Sequence, residues 1–243
     1  MTLAGLQAAP AQDFPAGDIR YVLHVEPGGA TDVMACSLVL DPYLLAVRTD
    51  SGIDSLQDMV AKAKAQPGSL SISGFGGASG GHVAWMMFSD SAGLGDGDIN
   101  WVPYNSVGDA VVATLGGHND VVIGYIGLVK QHVAAGTLKV IGLMSDARSE
   151  LLPDAPTFAE AGFPVDTRWQ QFRGVIVPAD TPVETQENLC AAVDQALKSP
   201  EIAKYIAESD LVPGFMGPAA FTDFVLAQEA TAKLWAERLA AGN

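Results

Sequence analysis

Short apolar runs alternate with longer stretches of helical period along this chain. "IRYVLHV" (19–25), "YLLAV" (43–47), "SLSIS" (69–73), "INWVPY" (99–104), "DVVIGY" (120–125), "LKVIGLM" (138–144) and "RGVIVP" (173–178) have the length and β-branched content of strands. Between them lie helical patterns. "SLQDMVAKAKAQPG" starts near residue 55 and stops at Pro67-Gly68, and "GHVAWMMFSDSAG" ends at Gly93. "SVGDAVVATLGG" has Ser106 as its expected N-cap, and "LVKQHVAAG" comes after the fifth run. A short helix is expected after the proline-rich loop at Pro153 and Pro156, and helices fill 183–198, 200–208 and 218–241. "EPGGATD" reads as a turn into a helix that starts at Thr31 and Asp32 and stops near 36–40. This rhythm predicts an α/β protein with mostly parallel sheets.

Two strand-to-helix turns carry the candidate chemistry. One is Pro27-Gly28-Gly29-Ala30-Thr31-Asp32; the other lies within "SGFGGASGG", where five glycines fall between residues 74 and 81. Gly76 to Gly81 has the glycine spacing of a phosphate loop, but His82 stands where that loop needs lysine. The dinucleotide fingerprint begins at Gly74 and Gly76 and then meets Ser79 in place of its third glycine. Gly77-Ala78-Ser79-Gly80-Gly81 does fit Gly-x-Ser-x-Gly, so a serine esterase built on Ser79 is the alternative reading. That fold needs a histidine late in the chain, and the four histidines are His24, His82, His118 and His132. The reading that asks for the fewest further parts is an anion cradle. Glycines let backbone amides converge, a helix N-terminus adds about half a positive charge, and Ser79 supplies a hydroxyl. His82, Trp85, Met86 and Met87 read as packing residues. Trp169 and Phe172, near Arg168 and Arg173, read as core, with a cleft lining as the alternative.

Composition narrows the partners. With 243 residues, 49% of them hydrophobic, the chain suits one large domain or two small lobes. A formal net charge of −15 opposes binding to nucleic acid and to anionic membrane surfaces, yet leaves a locally cradled anion untouched. No apolar run reaches the 18 or so residues of a membrane span. The beginning, "MTLAGLQAAPAQDFPAG", lacks a signal peptide's basic region and resembles the segment just downstream of a cleavage site. Cys36 and Cys190 have no metal-type spacing, and a disulfide between them stays open. No cofactor, no metal site and no catalytic residue is expected.

Several segments together resemble one known family. "DIRYVLHVEPGGATD", "AKAKAQPG", the Gly/Ser/His loop, "VPYNSVGDAV", "AAGTLKVIGLMSDAR", "LPDAPTFAEAGF" and "FRGVIVP" occur in the order found in the substrate-binding proteins of tripartite tricarboxylate transporters, also called the Bug family. The wording is most similar to that of tricarboxylate-type members. The resemblance implies a two-lobed periplasmic binding protein-like fold of type II. "YLLAV" and "RGVIV" would be the hinge strands, 48–173 one lobe, and 1–47 with 174–243 the other. It further implies a non-enzymatic, monomeric, periplasmic or otherwise extracytoplasmic protein. Such a protein holds a small, citrate-like di- or tricarboxylate for the membrane subunits of a transporter. Carried over position by position, the ligand site would comprise the two glycine-rich turns, Pro27–Asp32 and Gly76–Ser79. It would add Asn105 and Ser106 after "VPY", and Gly124 and Tyr125 after "DVVI". The departure from the family is a first lobe about sixty residues short, a stretch that in the family includes further strands of that lobe. An open core and exposed strand edges are expected to cost that lobe stability.

Overall fold

The structure, a computed structural model, describes residues 32–240. The strand expected at 19–25 and the turn residues Pro27, Gly28, Gly29, Ala30 and Thr31 lie outside the described residues.

Two sheets organise the chain. The larger has five strands in the order β4-β3-β5-β2-β6. These are β2 (Leu44–Arg48), β3 (Leu70–Phe75), β4 (Ile99–Tyr104), β5 (Val121–Gly124) and β6 (Leu138–Leu143). β4, β3 and β5 are parallel, joined by the helical crossovers α2 (Gly80–Ala92) and α3 (Val107–Leu115). α1 (Leu56–Ala65) precedes β3 and α4 (Ile126–Ala134) precedes β6. β2 runs antiparallel to both β5 and β6.

Both faces of this sheet are covered, which is why β2 and β5 read as continuous apolar runs, while β3 alternates Leu70-Ser71-Ile72-Ser73 and its buried Ser73 hydroxyl bonds Thr114 and Val121 O. In β2, Leu45 and Val47 point into a core with Leu56, Met59, Trp85, Phe88 and Phe158; Leu44 and Ala46 point into a second core with Ala110, Val111, Ile126 and Val129. Residues two apart share a face because Cβ direction alternates along a strand. Local signals set the helix ends. Ser55, Ser79 and Ser106 accept hydrogen bonds from the amides of Asp58, His82 and Asp109, and Gly93 closes α2 in the left-handed conformation at φ 61°.

The smaller sheet has the order β7-β1-β8, all antiparallel. Its strands are β1 (Asp32–Asp41), β7 (Gln171–Pro178) and β8 (Pro213–Met216). α5 (Val183–Leu197), α6 (Pro200–Glu208) and α7 (Pro218–Ala240) complete this half. Its apolar interior is thin: the cluster between β1 and α5 contains Ala35, Cys36 and Cys190, with Val175, Val177 and Val193 packed around them. Val183, Tyr205, Leu226 and Leu234 are at least half exposed. The chain passes between the sheets at Pro42-Tyr43 and again just before Gln171.

Three expectations are corrected, and one strand is added. The helix that was to start at Asp32 is instead strand β1, with Asp32 opposite Pro178. "DVMACSLVLD" has β-branched and aliphatic residues that two neighbouring strands pair on both sides, and this pairing overrides the capping signal of Thr31 and Asp32. The sheets are not mostly parallel, because among the described residues only β3–β4 and β3–β5 pair that way. β2 enters its sheet directly from β1, without a crossover helix to turn it. The short helix after Pro156 is a set of turns closed by Ala161 N to Thr157 O and Phe163 N to Phe158 O. Finally, β8 lacks any periodic signal in four residues and forms only because β1 offers an edge.

Candidate ligand site

Parallel pairing of β4, β3 and β5 puts their carboxyl ends side by side, and the candidate residues sit there. Gly76-Gly77-Ala78-Ser79 follow β3, Asn105-Ser106 follow β4, and Gly124-Tyr125 end β5 and cap α4. The sheet thus collects three turns that are up to 49 positions apart in sequence, and three helices begin there. This is the edge of an open α/β sheet at which ligands are held.

The β3–α2 turn is tight and open. Gly76 has φ 49° and Ala78 φ 55°, and a Cβ on Gly76 or Gly77 would meet nothing within 4 Å. Gly76 N donates to Tyr104 O at 3.0 Å, which ties the turn to the end of β4. His82 stacks on Trp101 with ring centroids 4.4 Å apart, and its Nδ1 accepts from Ala78 N at 3.0 Å. That bond holds the left-handed Ala78 and needs a neutral imidazole; burial lowers the His82 pKa accordingly.

Ser79 Oγ donates to Phe75 O and accepts from His82 N, so its bonds are those of an N-cap. Neither partner is a general base. The geometry of a nucleophile elbow, a serine hydroxyl bonded to an imidazole nitrogen, is not formed at Ser79.

The three helix mouths differ in charge. α3 has Asp109 in its first turn, held by the Ser106 cap at 3.0 Å. α2 and α4 have no acidic residue in the first turn, and Tyr125 makes no side-chain cap bond. The positive ends of α2 and α4 are therefore uncompensated and are the ones available to an anion. Asn105, Ser106, Gly77 and Ala78 are exposed, Ser79 and Tyr125 half-buried, and Gly124 buried.

Beside this edge lies a cavity of about 490 Å³ between the two sheets. Tyr43 and Gly80 line it from one side; Trp169, Phe172, Ile176 and Gln228 line it from the crossover, β7 and α7. Tyr43 approaches so closely that a Cβ on Gly80 would clash with its hydroxyl. Tyr43 and Tyr125 face each other with ring centroids 5.3 Å apart. Burial raises the pKa of both phenols. Trp169 Nε1 donates to Gly80 O at 2.8 Å, and Gln228 Nε2 donates to Arg168 O and Gln170 O, each at 3.0 Å. These bonds fix the second crossover to both halves.

Asp41 stands at the first crossover, 4% exposed. Its Oδ2 lies 3.0 Å from Arg173 Nη2, but off the N–H direction, so it has an ion-pair partner and no hydrogen bond. Burial raises its pKa, and Arg173 only partly offsets this.

Of the residues singled out from sequence, Gly76–Ser79, Asn105, Ser106, Gly124 and Tyr125 are gathered on one sheet edge. Asp32 is not part of that group; it begins β1, at the opposite end of the strand from the crossover. Trp169 and Phe172 line the cavity and also pack in apolar clusters, Trp169 against the core that contains Tyr43 and Leu45 and Phe172 edge-on to Phe221 and Phe224, so the core role expected of them and its cleft-lining alternative hold together. Tyr43 and Gln228 were not singled out, and Gly80 was read only as part of the glycine-rich turn. Of the first two, Tyr43 alone had a local signal, its place after Asp41-Pro42 at the mouth of a buried run.

Comparison with known proteins gives one consistent result. The family described as tripartite tricarboxylate transporter family receptor matches residues 31–237. Protein BugT of Bordetella pertussis is 29% identical over 195 residues, which are 80% of this chain and 59% of BugT. The chain thus spans about three-fifths of that curated relative. A TctC solute-binding protein from Polaromonas, 21% identical, superposes with a TM-score of 0.73 over 86% of this chain and 70% of its own. An R. palustris protein solved with adipate is 25% identical, with a TM-score of 0.69 over 86% of this chain and 68% of its own. The type II periplasmic binding protein fold is common to these structures.

Proposed function

The chain belongs to the tripartite tricarboxylate transporter receptor family, and we propose that it is an extracytoplasmic, monomeric solute-binding protein that captures a small di- or tricarboxylate for the membrane subunits of such a transporter. The observation that carries this reading is the convergence of three strand ends and two uncompensated helix N-termini beside a cavity between two sheets. A carboxylate needs converging amide and hydroxyl donors, and Gly76–Ser79, Asn105, Ser106 and the Gly124-Tyr125 turn offer them without a basic side chain. The adipate carried by the R. palustris relative supports the ligand class.

The lobes we propose are 43–170 and 1–42 with 171–243, a shift from the bounds 48–173 and 1–47 with 174–243 expected above: β2 pairs wholly within the larger sheet and β7 wholly within the smaller, so the hinge is taken as the chain crossings at Pro42-Tyr43 and ahead of Gln171 rather than those strands. A ligand touching Gly80 and Tyr43 on one side and β7 and α7 on the other stabilises a closed arrangement. It does so by no more than its differential affinity for closed over open.

Thermal unfolding with citrate, tricarballylate, succinate, adipate, glutamate or terephthalate tests the reading. An acid at a hundred times its dissociation constant stabilises the fold by about 2.7 kcal/mol. For a chain of this size that is a rise of roughly 5–10 °C in Tm. A cooperative transition that no acid moves refutes the carboxylate reading and turns attention to esters as substrates. Absence of a cooperative transition assigns binding to a longer chain.

A further inference from the structure

The chain has two cysteines, and the anion site uses neither. Cys36 lies in the middle of β1, opposite Val175 of β7; Cys190 lies in the middle of α5. Though 154 positions apart, they are packed into one small cluster with Ala35, under Val175, Val177 and Val193. Cys36 is fully buried and Cys190 is 2% exposed. Each thiol perturbs the other: burial raises the pKa of both, and the neighbouring sulfur raises that of Cys36 further. Both are free thiols as they stand.

We propose that Cys36 and Cys190 are a disulfide-forming pair that fastens β1 to α5. The oxidant is a disulfide, either a small one such as oxidised glutathione or the active-site disulfide of an oxidoreductase. One thiol loses its proton and attacks the oxidant, forming a mixed disulfide and releasing one reduced sulfur. The second thiol, deprotonated in turn, displaces the other reduced sulfur. Two protons and two electrons leave the pair, and the oxidant's S–S bond becomes two thiols. Burial and raised pKa make the packed pair slow to react, so exchange occurs before β1 docks on α5 or during local opening. The bond closes a long loop in the half of the molecule whose core is smallest, where a covalent tie has most effect. It rests on the extracytoplasmic reading only for the presence of an oxidising compartment.

The test supplies the oxidant directly. The full chain is reduced, denatured, refolded in a glutathione redox buffer, and then alkylated in denaturant. The expected result is no alkylation without prior reduction, a monomer mass about 2 Da lower, and one peptide pair joining Cys36 to Cys190. Reductant should then lower the Tm of the oxidised protein and leave that of Cys190→Ala unchanged. Two alkylated thiols, a glutathione adduct on either cysteine, or a dimer linked between chains would each overturn the proposal. If Cys190→Ala does not fold, the wild-type mass and peptide map still decide. Failure here, with a carboxylate still shifting Tm, overturns the disulfide alone and leaves the binding reading standing.

Discussion

Ser79 can be made to report both on α2 and on the anion. Its hydroxyl accepts from His82 N and donates to Phe75 O. Ser79→Ala removes the cap and should cost about 1 kcal/mol, roughly 2–4 °C in Tm. Ser79→Asn keeps an acceptor for His82 N and a donor for Phe75 O, and should restore most of that loss. Ser79→Asp is nearly the same shape and also a strong cap, but it places a negative charge at the mouth of α2. Two carboxylates about 4 Å apart repel by roughly 1 kcal/mol in water and about 4 kcal/mol at the effective dielectric of a protein surface. The Asp variant should therefore bind a dicarboxylate at least about fivefold more weakly than the Asn variant, with the gap narrowing as salt is raised. Calorimetric titration of both variants with adipate, beside their melting curves, measures this. Equal affinities in two folded variants would refute the placement of the anion at α2. The same set separates binding from hydrolysis: an ester turned over by wild type and not by Ser79→Ala would restore the nucleophile that the geometry at Ser79 does not support.

Three further outcomes are expected. Trp169 lines the cavity and bonds Gly80 O. Bound ligand should therefore change tryptophan emission, and Trp169→Phe should remove most of that change while the protein stays folded. Arg173→Ala leaves the buried Asp41 carboxylate without its cation, at a cost of about 2 kcal/mol that Asp41→Asn in the same chain should relieve. Urea titration of the single and double variants decides it. For His82 the folded pKa is below the unfolded value of about 6.5, so the unfolded chain binds more protons and stability rises with pH through that window. Its contribution is complete above roughly pH 6.5 and is lost as the pH falls toward the folded pKa. His82→Asn, which keeps an acceptor for Ala78 N, should flatten that acid loss in denaturation curves between about pH 7.5 and 5.

Local signals carried much of this architecture. Ser55, Ser79 and Ser106 begin helices where a short polar cap precedes an apolar period, and Gly93 ends one where only a left-handed residue fits. The doubly covered strands β2 and β5 announced themselves as unbroken apolar runs, because each face meets its own layer of helices. The glycine cradle after β3 was legible for the same reason: its backbone conformation is local, and glycine is the residue that adopts it cheaply.

The surroundings of that cradle were decided by long-range pairing. Nothing in "DVMACSLVLD" says strand rather than capped helix until β7 and β8 supply partners on both sides. Tyr43 and Trp169 reach Gly80 only because the chain crosses twice between the sheets, and Gln228 joins them from a helix some sixty residues further on. Cys36 and Cys190 meet by the same route, through the docking of α5 on β1. Helix ends, buried strands and the glycine-rich turn after β3 were therefore readable from primary order alone, since each depends on residues within a few positions of one another. The β1 strand, the cavity wall and the cysteine pair needed the folded chain, since they depend on contacts whose loop-closure entropy no local pattern encodes.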